Sequence, residues 1–409
     1  MGKSTHFIGQ PVLEQLIKCI GKEKILKISR AKDGERYVKS FDAWQHLVVM
    51  LYAVIMRFDS LREIAAATEA ESRKLSHLGI TSLPRRSTLS DANMRRPNEV
   101  FEEIYRSLYE DNKHILSSDS SSHKLPGWMK HLQIIDSTTI SLFSNLIFKG
   151  VGRNPKMGKK KGGLKCHTVI HANEGVPCDV CFTSAATHDH FMLVPNHFNR
   201  GDLLALDRAY IDYGKFEELT ECGVMYVTKM KKSLVYETVS SVYHMNMDGK
   251  MVWREEVVVF TKKERNGRNI THKARIITYA DKEKKKLIRL LSNNLELPYE
   301  EIIEIYRKRW AIELLFKQMK QNFPLRYFYG ESANAIKIQV WVTLIANLLL
   351  TLLQRSVKRS WSFSGLATMV RIMLMYYINI QSLLEHPEKD WEKSVCELTK
   401  SPFEPYLFD

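Results

Sequence analysis

The stretch HLQIIDSTTISLF, from His131 to Phe143, determines the predicted fold of this chain. Its apolar and β-branched residues are typical of a strand inside a sheet. Asp136 interrupts that run, and a carboxylate in a mostly buried strand is costly unless a cation neutralises it. We therefore expect Asp136 to belong either to a buried salt bridge or to a site that holds a cation.

A second carboxylate ends another apolar run. The stretch LLALDRAY, from Leu203 to Tyr210, predicts a short buried strand that stops at Asp207. Arg208 beside it offers a salt-bridge partner, which is the structural alternative for this residue too. Two carboxylates on strands, followed by a third on a helix, favour a shared cation site over separate salt bridges.

The third carboxylate is Glu313, on a long predicted helix over residues 298–323. Because successive residues turn by roughly 100° in an α-helix, four polar side chains fall on one arc about 60° wide: Tyr306, Arg309, Glu313 and Lys320. The rest of this helix is largely apolar, which is typical of a buried helix. An ion pair between Arg309 and Glu313 is the alternative, but it gives no role to Tyr306 or Lys320.

These three carboxylates suit two-metal phosphoryl transfer. Two Mg²⁺ ions roughly 3.5–4 Å apart hold the attacking and the leaving oxygen during in-line displacement. Mg²⁺ prefers oxygen ligands and keeps several waters, so three carboxylates suffice when substrate phosphate completes the shell. We assign Asp136 to both ions, and Asp207 and Glu313 to one ion each. Mn²⁺ is expected to substitute for Mg²⁺.

The surrounding segments predict an α/β protein. Two strand patterns, LKCHTVIHA and VPCDVCFTS, are joined by the hairpin turn Asn173-Glu174-Gly175, and residues 187–198 predict a helix. The order of these segments predicts a ribonuclease-H-like mixed sheet flanked by helices. The predicted parts are a helical N-terminal DNA-binding domain (1–125), the first part of the catalytic core (126–231), a β-rich insertion (232–285), and the rest of the core with C-terminal helices (286–409).

The charge balance favours a polyanionic partner. The chain has 61 Lys and Arg against 46 Asp and Glu, a formal net charge of +15, and a pI near 9.3. Such an excess favours nucleic acid, although basic proteins also bind anionic membranes. The six cysteines are sparse, no signal-peptide pattern is present at the N-terminus, and the longest apolar run, residues 340–353, is too short to span a bilayer. We expect a cytoplasmic protein, close to the nucleoid, with no membrane partner.

The N-terminal region reads as helical. Asp59-Ser60 is a predicted cap, and in STLSDANMRR the cap is Ser87. Pro97 then breaks that segment before a further helix. A short helix, a turn and a second short helix fit a helix-turn-helix, and the alternative is a bundle that only packs. Arg95 and Arg96 are the predicted DNA contacts of this region.

The motifs resemble those of the DDE transposases of bacterial insertion sequences, in the branch typified by insertion sequence four with its Tyr-Arg-Glu-Lys signature. The likeness extends over nearly the whole chain. It is carried by Asp136-Ser137-Thr138, by Asp207-Arg208-Ala209-Tyr210, and by Tyr306, Arg309, Glu313 and Lys320 with 2, 3 and 6 residues between them.

The resemblance implies a cut-and-paste transposase that binds the terminal inverted repeats of its element. Such an enzyme nicks one strand with water, and the new 3′-OH attacks the opposite strand to form a hairpin. The hairpin is then opened and the ends are joined to target DNA, by a homodimer on paired ends. The resemblance also implies that Tyr306, Arg309, Lys320 and Arg208 contact DNA, and that Trp253 of the insertion stacks on a flipped base. A core or surface role is the alternative for Trp253.

A basic run offers a further DNA contact, since it precedes a strand near Asp136. Its predicted contacts are Lys159, Lys160, Lys161 and Lys165, and the alternative is a solvated loop. Cys178 and Cys181 are spaced like zinc ligands, but residues three apart on a strand point to opposite faces, which disfavours zinc. Asp189 is interpreted as a helix cap or as a further acid near the metals.

Three other classes of function compete with this reading. A DNA-binding regulator without catalysis is disfavoured by the intact Asp136, Asp207 and Glu313. A ribonuclease-H-like nuclease that cuts without joining keeps the same residues, so only an assay of strand transfer separates it. A metal-dependent phosphatase acting on small molecules is disfavoured by the basic charge and by the insertion.

Overall fold

The computed structural model of this chain describes residues 10–117, 126–141, 152–153, 162–245, 251–263, 269–281 and 286–389. Its α-helices are α1 (Val12–Ile17), α2 (Lys22–Ala31), α3 (Ala43–Met56), α4 (Leu61–Ala70), α5 (Ser72–His77), α6 (Arg86–Arg95), α7 (Asn98–Ser117), α8 (Tyr213–Glu221), α9 (Tyr299–Lys308), α10 (Trp310–Asn322), α11 (Ala333–Ser356), α12 (Phe363–Met373) and α13 (Ile380–Glu385). Its strands are β1 (Leu132–Ser141), β2 (Gly152–Arg153), β3 (Gly162–His171), β4 (Pro177–Ser184), β5 (Leu203–Leu206), β6 (Met225–Lys229), β7 (Glu237–Met245), β8 (Met251–Lys263), β9 (Asn269–Asp281) and β10 (Lys286–Ser292).

The chain forms two compact units. The helical unit comprises Met1–Leu116 and Gln318–Asp409, and the sheet unit comprises Ser117–Lys317. This division differs from the predicted one, which placed the C-terminal helices in one segment, 286–409, with the second part of the catalytic core. The physical reason is the apolar surface of α11, which is buried against α3 within the helical unit.

Polar side chains on the buried helix α11 form hydrogen bonds with nearby segments. Gln339 is fully buried, and its Nε2 donates to the carbonyl oxygens of Pro324 (3.0 Å) and Tyr327 (2.8 Å) while its Oε1 accepts from the amide of Tyr329. Asn347 accepts from Gln318 at 2.8 Å. Because a buried polar group must find partners, these contacts hold the segment 324–329 against α11.

The apolar run 340–353 was predicted to be too short to span a bilayer, but the helix that contains it, α11, is longer. The helix has 24 residues with a mean hydropathy of 1.8 in its most apolar window, so by length and composition it is long enough to cross a membrane. However, 83% of that window is buried inside the protein. Such burial is what a core helix shows.

Arg96 is buried and bonded inside the helical unit, so its prediction as a DNA contact was wrong. The residue is 4% exposed. Its guanidinium donates to the carbonyl oxygens of Gly34 (3.1 Å) and Phe41 (2.9 Å) and to Nδ1 of His46 (2.8 Å). Since arginine has only donors, His46 must carry its hydrogen on Nε2, which lies 2.8 Å from Oδ1 of Asn93.

The helices around Arg96 also differ from the predicted arrangement. The cap of α4 is as expected, because Ser60 Oγ accepts from the amide of Glu63. In contrast, α6 begins at Arg86, so Ser87 is not its cap. The helix after Pro97 is α7, which has 20 residues and an apolar face in the core. The predicted pair of short helices is therefore absent from this place.

In the part of the chain that the structure describes, the sheet unit has one sheet of ten strands. Their order is β2-β3-β1-β5-β6-β10-β9-β8-β7, and β4 pairs with β3. β1, β5 and β6 are parallel, whereas β3 is antiparallel to β1 and β4 to β3. This is the mixed sheet of a ribonuclease-H-like fold. α8 and α9 pack against its strands.

The region predicted as an insertion contributes strands to the same sheet. β7, β8 and β9 form antiparallel pairs, and β9 continues through β10 to β6. The hairpin between β3 and β4 is as predicted, with Gly175 at φ 72°. The predicted helix over 187–198 was wrong. Two short 3-10 turns replace it, at Asp189–Met192 and Pro195–His197, because proline cannot continue a helix.

The contacts of His46 predict a pH-dependent stability. Burial, and then the charge of Arg96, lower the pKa of His46 to about 3. On acidification from about pH 7.5 to about pH 5, an unfolded histidine takes up a proton that the folded residue refuses, so this residue alone lowers the free energy of unfolding by about 2 kcal/mol. In urea denaturation at both pH values, the loss should be smaller in His46→Asn than in the wild type by about 2 kcal/mol. An exposed control, His114→Asn, should keep the wild-type pH dependence, and equal slopes in all three proteins contradict the assignment.

Candidate active site

Strand pairing brings Asp136 and Asp207 together. In the parallel pair β1 and β5, Ile135 lies opposite Leu206, so the next residue of each strand is one of the two aspartates. Asp207 Oδ2 accepts from the amide of Ala209 at 3.1 Å, and Asp136 Oδ1 accepts from the amide of Ser137 at 2.8 Å. Both carboxylates are therefore oriented by their own backbone at one edge of the sheet.

Arg309 joins Asp136 to Glu313. Its Nη1 lies 3.0 Å from Asp136 Oδ2, and its Nη2 donates to Glu313 Oε1. The Arg309 side chain is 11% exposed, and its guanidinium lies over the ring of Tyr306 at 5.8 Å. The predicted ion pair between Arg309 and Glu313 exists, but it is part of a larger cluster that includes Asp136 of the sheet.

The raised pKa of Asp136 indicates that the cluster carries an unfavourable excess of negative charge. Burial raises the pKa of Asp136 to about 6, and the charges of Asp207 and Glu313 act in the same direction. The amide of Ser137 and the cation of Arg309 oppose that rise without cancelling it. Burial also raises the pKa of Tyr306, which is near Asp207. The site therefore stabilises an added positive charge.

The donor set fits a hard divalent cation. Asp136, Asp207 and Glu313 offer only oxygen atoms, which Mg²⁺ and Mn²⁺ prefer over the nitrogen and sulfur ligands typical of zinc. Among the residues described, no group of three or more His, Cys, Asp or Glu side chains forms a ready metal site. Arg309 instead supplies the cation between two of the acids, so a metal ion would share or replace that role.

A second layer of polar groups lies behind Asp136. Ser137 Oγ donates to Asp189 Oδ1 at 2.7 Å. Lys165 Nζ lies 3.3 Å from the same oxygen and donates to the carbonyl of Thr187 at 2.7 Å. The Lys165 side chain is only 12% exposed. Its predicted contact with DNA was therefore wrong, because its charge is used to neutralise Asp189 inside the protein.

A basic groove opens beside the carboxylates. It has a volume of about 1080 Å³ and is lined in part by Arg208, Tyr306 and Arg309, all three predicted as DNA contacts. Six further cations line it that sequence analysis did not single out: Lys229, Lys231, Lys232, Lys286, Arg289 and Arg307. The only signal for them was the run KMKK after a predicted strand, since Lys286, Arg289 and Arg307 are distant in sequence and meet only in the fold.

Trp253 has neighbours on both faces of its ring. His244 stacks on it at 3.5 Å between centroids with planes 9° apart, and Tyr299 stacks at 4.2 Å with planes 16° apart. A base could stack on this indole only by displacing one of those rings. The predicted base-stacking role is therefore not supported, and Trp253 holds β7 and the start of α9 on β8.

The remaining predicted contacts lie elsewhere. Arg95 is exposed on α6 of the helical unit, and Lys320 lies on α10 in the part of the chain that belongs to the helical unit. Lys159, Lys160 and Lys161 lie outside the described residues. Asp189 begins a 3-10 turn and does not cap a helix with its side chain.

Comparison with known proteins gives consistent matches. A family model described as "Transposase DDE domain" matches residues 127–349, more than half of the chain. A model described as a domain of unknown function, DUF4372, matches residues 8–81.

Three relatives are similar to this chain over 60–72% of their own length. A putative transposase, y4zB, of Sinorhizobium fredii is 27% identical over 66% of this chain and 72% of that protein. A probable transposase for insertion sequence element IS5377 of Geobacillus stearothermophilus is 25% identical, over 58% of this chain and 60% of its own length. A putative transposase for element IS4SA of Synechocystis is 26% identical, over 65% and 71%. A solved structure of the piggyBac transposase synaptic complex with hairpin DNA aligns with a TM-score of 0.44 at 10% identity, over 98% of this chain and 87% of that one.

The position of Arg309 predicts a specific effect on stability. Arg309→Gln leaves the buried carboxylate of Asp136 without its cation, so the free energy of unfolding should fall by roughly 2–3 kcal/mol. Adding MgCl₂ should then raise the Tm of the variant more than that of the wild type, because a metal cation restores the missing charge. Thermal and urea denaturation measure both effects.

A matched control removes an exposed arginine. Arg359→Gln breaks a surface pair with Glu388 and should leave the free energy of unfolding close to that of the wild type. If Arg309→Gln were as stable as this control and responded to Mg²⁺ like the wild type, the cluster would not depend on a cation.

Proposed function

Because the chain belongs to the family of transposases with a DDE domain, we propose that it is the transposase of a bacterial insertion sequence, which excises its element by cut-and-paste and joins the 3′-OH ends to target DNA. The observation that carries this proposal is the cluster of Asp136, Asp207, Arg309 and Glu313 at the end of β1 and β5. A sheet does not need two acids on one guanidinium, with a third acid beside them, for stability alone, since apolar residues of similar volume pack at least as well.

The cofactor in this proposal is a pair of Mg²⁺ ions, for which Mn²⁺ substitutes. Asp136 would hold both ions, Asp207 one and Glu313 the other, which agrees with the hard oxygen donors described above. Bound metal supplies a nucleophile near neutral pH and stabilises charge on the scissile phosphate. Arg309, released from part of its pairing, would donate to a phosphate oxygen together with Tyr306, and Lys320 on α10 is a further proposed DNA contact.

The substrate in this proposal is double-stranded DNA that carries the terminal inverted repeats of the element. Water cuts one strand, and the freed 3′-OH attacks the opposite strand and leaves a hairpin on the element end. After hairpin opening, the same hydroxyl attacks target DNA. The carboxylates orient each attacking oxygen in turn, and a homodimer in the cytoplasm, close to the nucleoid, holds two ends together.

The basic groove supplies the path for the DNA backbone next to the cut. Its cations include Arg208, which directly follows Asp207, and Arg309 of the cluster itself. A negatively charged phosphodiester chain that leaves the carboxylates therefore enters a positively charged surface. Each contact that replaces a condensed counterion adds affinity that depends on salt.

Neutral variants of the three acids test the catalytic assignment. Asp136→Asn, Asp207→Asn and Glu313→Gln should each lower Mg²⁺-dependent nicking of element-end DNA by about a thousandfold or more, because each removes a metal ligand and a needed charge. DNA binding measured without divalent ions should remain. Glu304→Gln, on the exposed side of α9, is the matched control and should cut normally. Normal cutting by any of the three variants would remove that residue from the site.

A joining assay separates a transposase from a nuclease that only cuts. A duplex with a pre-formed 3′-OH at the element end is incubated with supercoiled plasmid and Mg²⁺. The transposase gives plasmid covalently joined to the labelled end. Nicking without any joined product indicates the nuclease, and binding without nicking indicates a regulator.

The groove residues predict a change in salt dependence. Removing two cations in Lys232→Ala/Arg307→Ala should weaken binding to all duplex sequences alike and reduce the slope of log affinity against log salt by about 2. Lys262→Ala/Lys273→Ala removes the same charge outside the groove and should leave the slope near that of the wild type. Fluorescence anisotropy over a range of salt concentrations measures both slopes. Identical slopes for the two double variants would contradict the proposal that DNA binds in the groove.

A further inference from the structure

Asp189 is a fourth acid near the candidate site, and the proposed function gives it no role. It begins the 3-10 turn Asp189–Met192, which packs against the turn Arg208–Tyr210 that directly follows Asp207. Its side chain is 18% exposed, so it lies largely inside the protein. An acid in this position either binds a metal ion itself or supports the acids that do.

Three side chains meet at one oxygen of Asp189. Its Oδ1 accepts from Ser137 Oγ at 2.7 Å and lies 3.3 Å from Lys165 Nζ and 3.6 Å from His167 Nδ1. Burial lowers the pKa of His167 to about 4, although the charge of Asp189 opposes that change, so this imidazole is neutral near pH 7. A metal ion at this oxygen would have to displace both a hydroxyl and an ammonium group, which favours the supporting role.

The pairing of β1 with β3 brings these donors together. In the antiparallel register Ser137 lies opposite His167, and Thr139 lies opposite Lys165. Residues directly opposite each other share a face of the sheet, whereas neighbours along one strand point to opposite faces. The partners of Asp189 therefore lie on one face of the sheet, and Asp136 points to the other face.

Ser137 connects the two faces through its own backbone. Its amide donates to Asp136 Oδ1 at 2.8 Å, while its hydroxyl donates to Asp189 on the opposite face. Arg309 binds the other oxygen of Asp136, Oδ2, at 3.0 Å. Because a divalent cation would take over part of the role of Arg309, the amide of Ser137 is the contact that would still orient Asp136 beside bound metal.

The pair of Asp189 and Lys165 adds no net charge to the site. The carboxylate of Asp189 is balanced by the ammonium group of Lys165, which also donates to the carbonyl of Thr187 at 2.7 Å. Opposite charges this close offset each other at a distance. Any influence of Asp189 on Asp136 must therefore come through the position of Ser137 and not through charge.

We propose that Asp189 is a positioning residue for Asp136 and acts through Ser137. Asp189, Ser137 and Lys165, together named the Asp189 network, fix the end of β1 so that the Ser137 amide holds Asp136 in the orientation that binds divalent cations. The inference rests on the proposed function and adds to that site a residue outside its three metal ligands. Removing an outer residue that orients a metal ligand typically lowers metal affinity or activity by about 10- to 100-fold.

A matched pair of charge-balanced variants isolates the acceptor oxygen of Asp189. Asp189→Asn/Lys165→Gln keeps an oxygen that accepts from Ser137, whereas Asp189→Ala/Lys165→Gln removes it. Mn²⁺ binding to the full-length protein is measured by electron paramagnetic resonance. The first variant should bind within about threefold of the wild type, and the second about 10-fold more weakly or worse. Equal affinities for the two variants overturn the proposal, and an equal loss in both would identify Asp189 as a metal ligand instead.

A double-mutant cycle tests whether Asp189 acts through Ser137. Ser137→Ala removes the hydroxyl but keeps the amide, so it should weaken Mn²⁺ binding about as much as Asp189→Ala/Lys165→Gln does. Combining the two changes should cost nothing further, because both remove the same contact. Ser137→Thr keeps a hydroxyl and should restore the affinity. Additive losses in the combined variant contradict the proposed route.

Asp202 provides a structural control at the other end of the same strands. It directly precedes β5, and its Oδ2 accepts from Gln133 of β1 at 3.0 Å. Asp202→Ala should lower the Tm but leave Mn²⁺ affinity and Mg²⁺-dependent nicking unchanged. In Ser137→Ala, by contrast, kcat for nicking should fall by about 10- to 100-fold while KM for DNA stays the same. Equal losses of Mn²⁺ affinity in Asp202→Ala and Ser137→Ala would reduce the effect to general stability and overturn the proposal.

Amide exchange without metal separates this inference from the proposed function. The Ser137 amide should exchange severalfold faster in Asp189→Ala/Lys165→Gln than in Asp189→Asn/Lys165→Gln, because the end of β1 is released. If exchange differs in this way while the wild type neither binds Mn²⁺ nor nicks DNA, the Asp189 network stands and the proposed function fails. If the wild type binds Mn²⁺ and nicks DNA but the two variants do not differ, the network is overturned and the proposed function stands.

Discussion

The contacts of Arg309 with Asp136 and Glu313 are the interaction on which the candidate site depends. A strand that buries a carboxylate must neutralise it or lose stability, and Arg309 does so from the junction of α9 and α10. The same guanidinium holds Glu313, so one side chain sets the distance between a sheet acid and a helix acid. Without it, Asp136 and Glu313 would repel each other across a half-buried space.

This arrangement explains how three carboxylates fold close to one another. The guanidinium keeps the negative charge tolerable during folding, although burial still raises the pKa of Asp136 to about 6. The remaining excess of negative charge favours a stronger cation. The basic groove begins at the same arginine, so the region changes from attracting cations to attracting phosphates within the length of one side chain.

Long basic side chains were the least predictable part of the chain. Arg95 and Arg96 are neighbours in sequence, yet one is exposed and the other is buried against three acceptors. Lys165 was taken for a phosphate contact and instead neutralises Asp189. The charge of a residue is visible in sequence, but its partner is chosen by elements far along the chain. The neighbours of Trp253 were hidden for the same reason, since its stacking partner Tyr299 comes 46 positions later.

The sequence by itself determined the local elements and the identity of the acids. The β-branched run around Asp136 and the short apolar run before Asp207 favour buried strands. The helical period placed Arg309 and Glu313 on one face. Tertiary structure alone decided that β1 and β5 are parallel neighbours, that Arg309 reaches Asp136, and which cations line the groove. Those facts depend on strand order and on packing between distant segments, which no local pattern encodes.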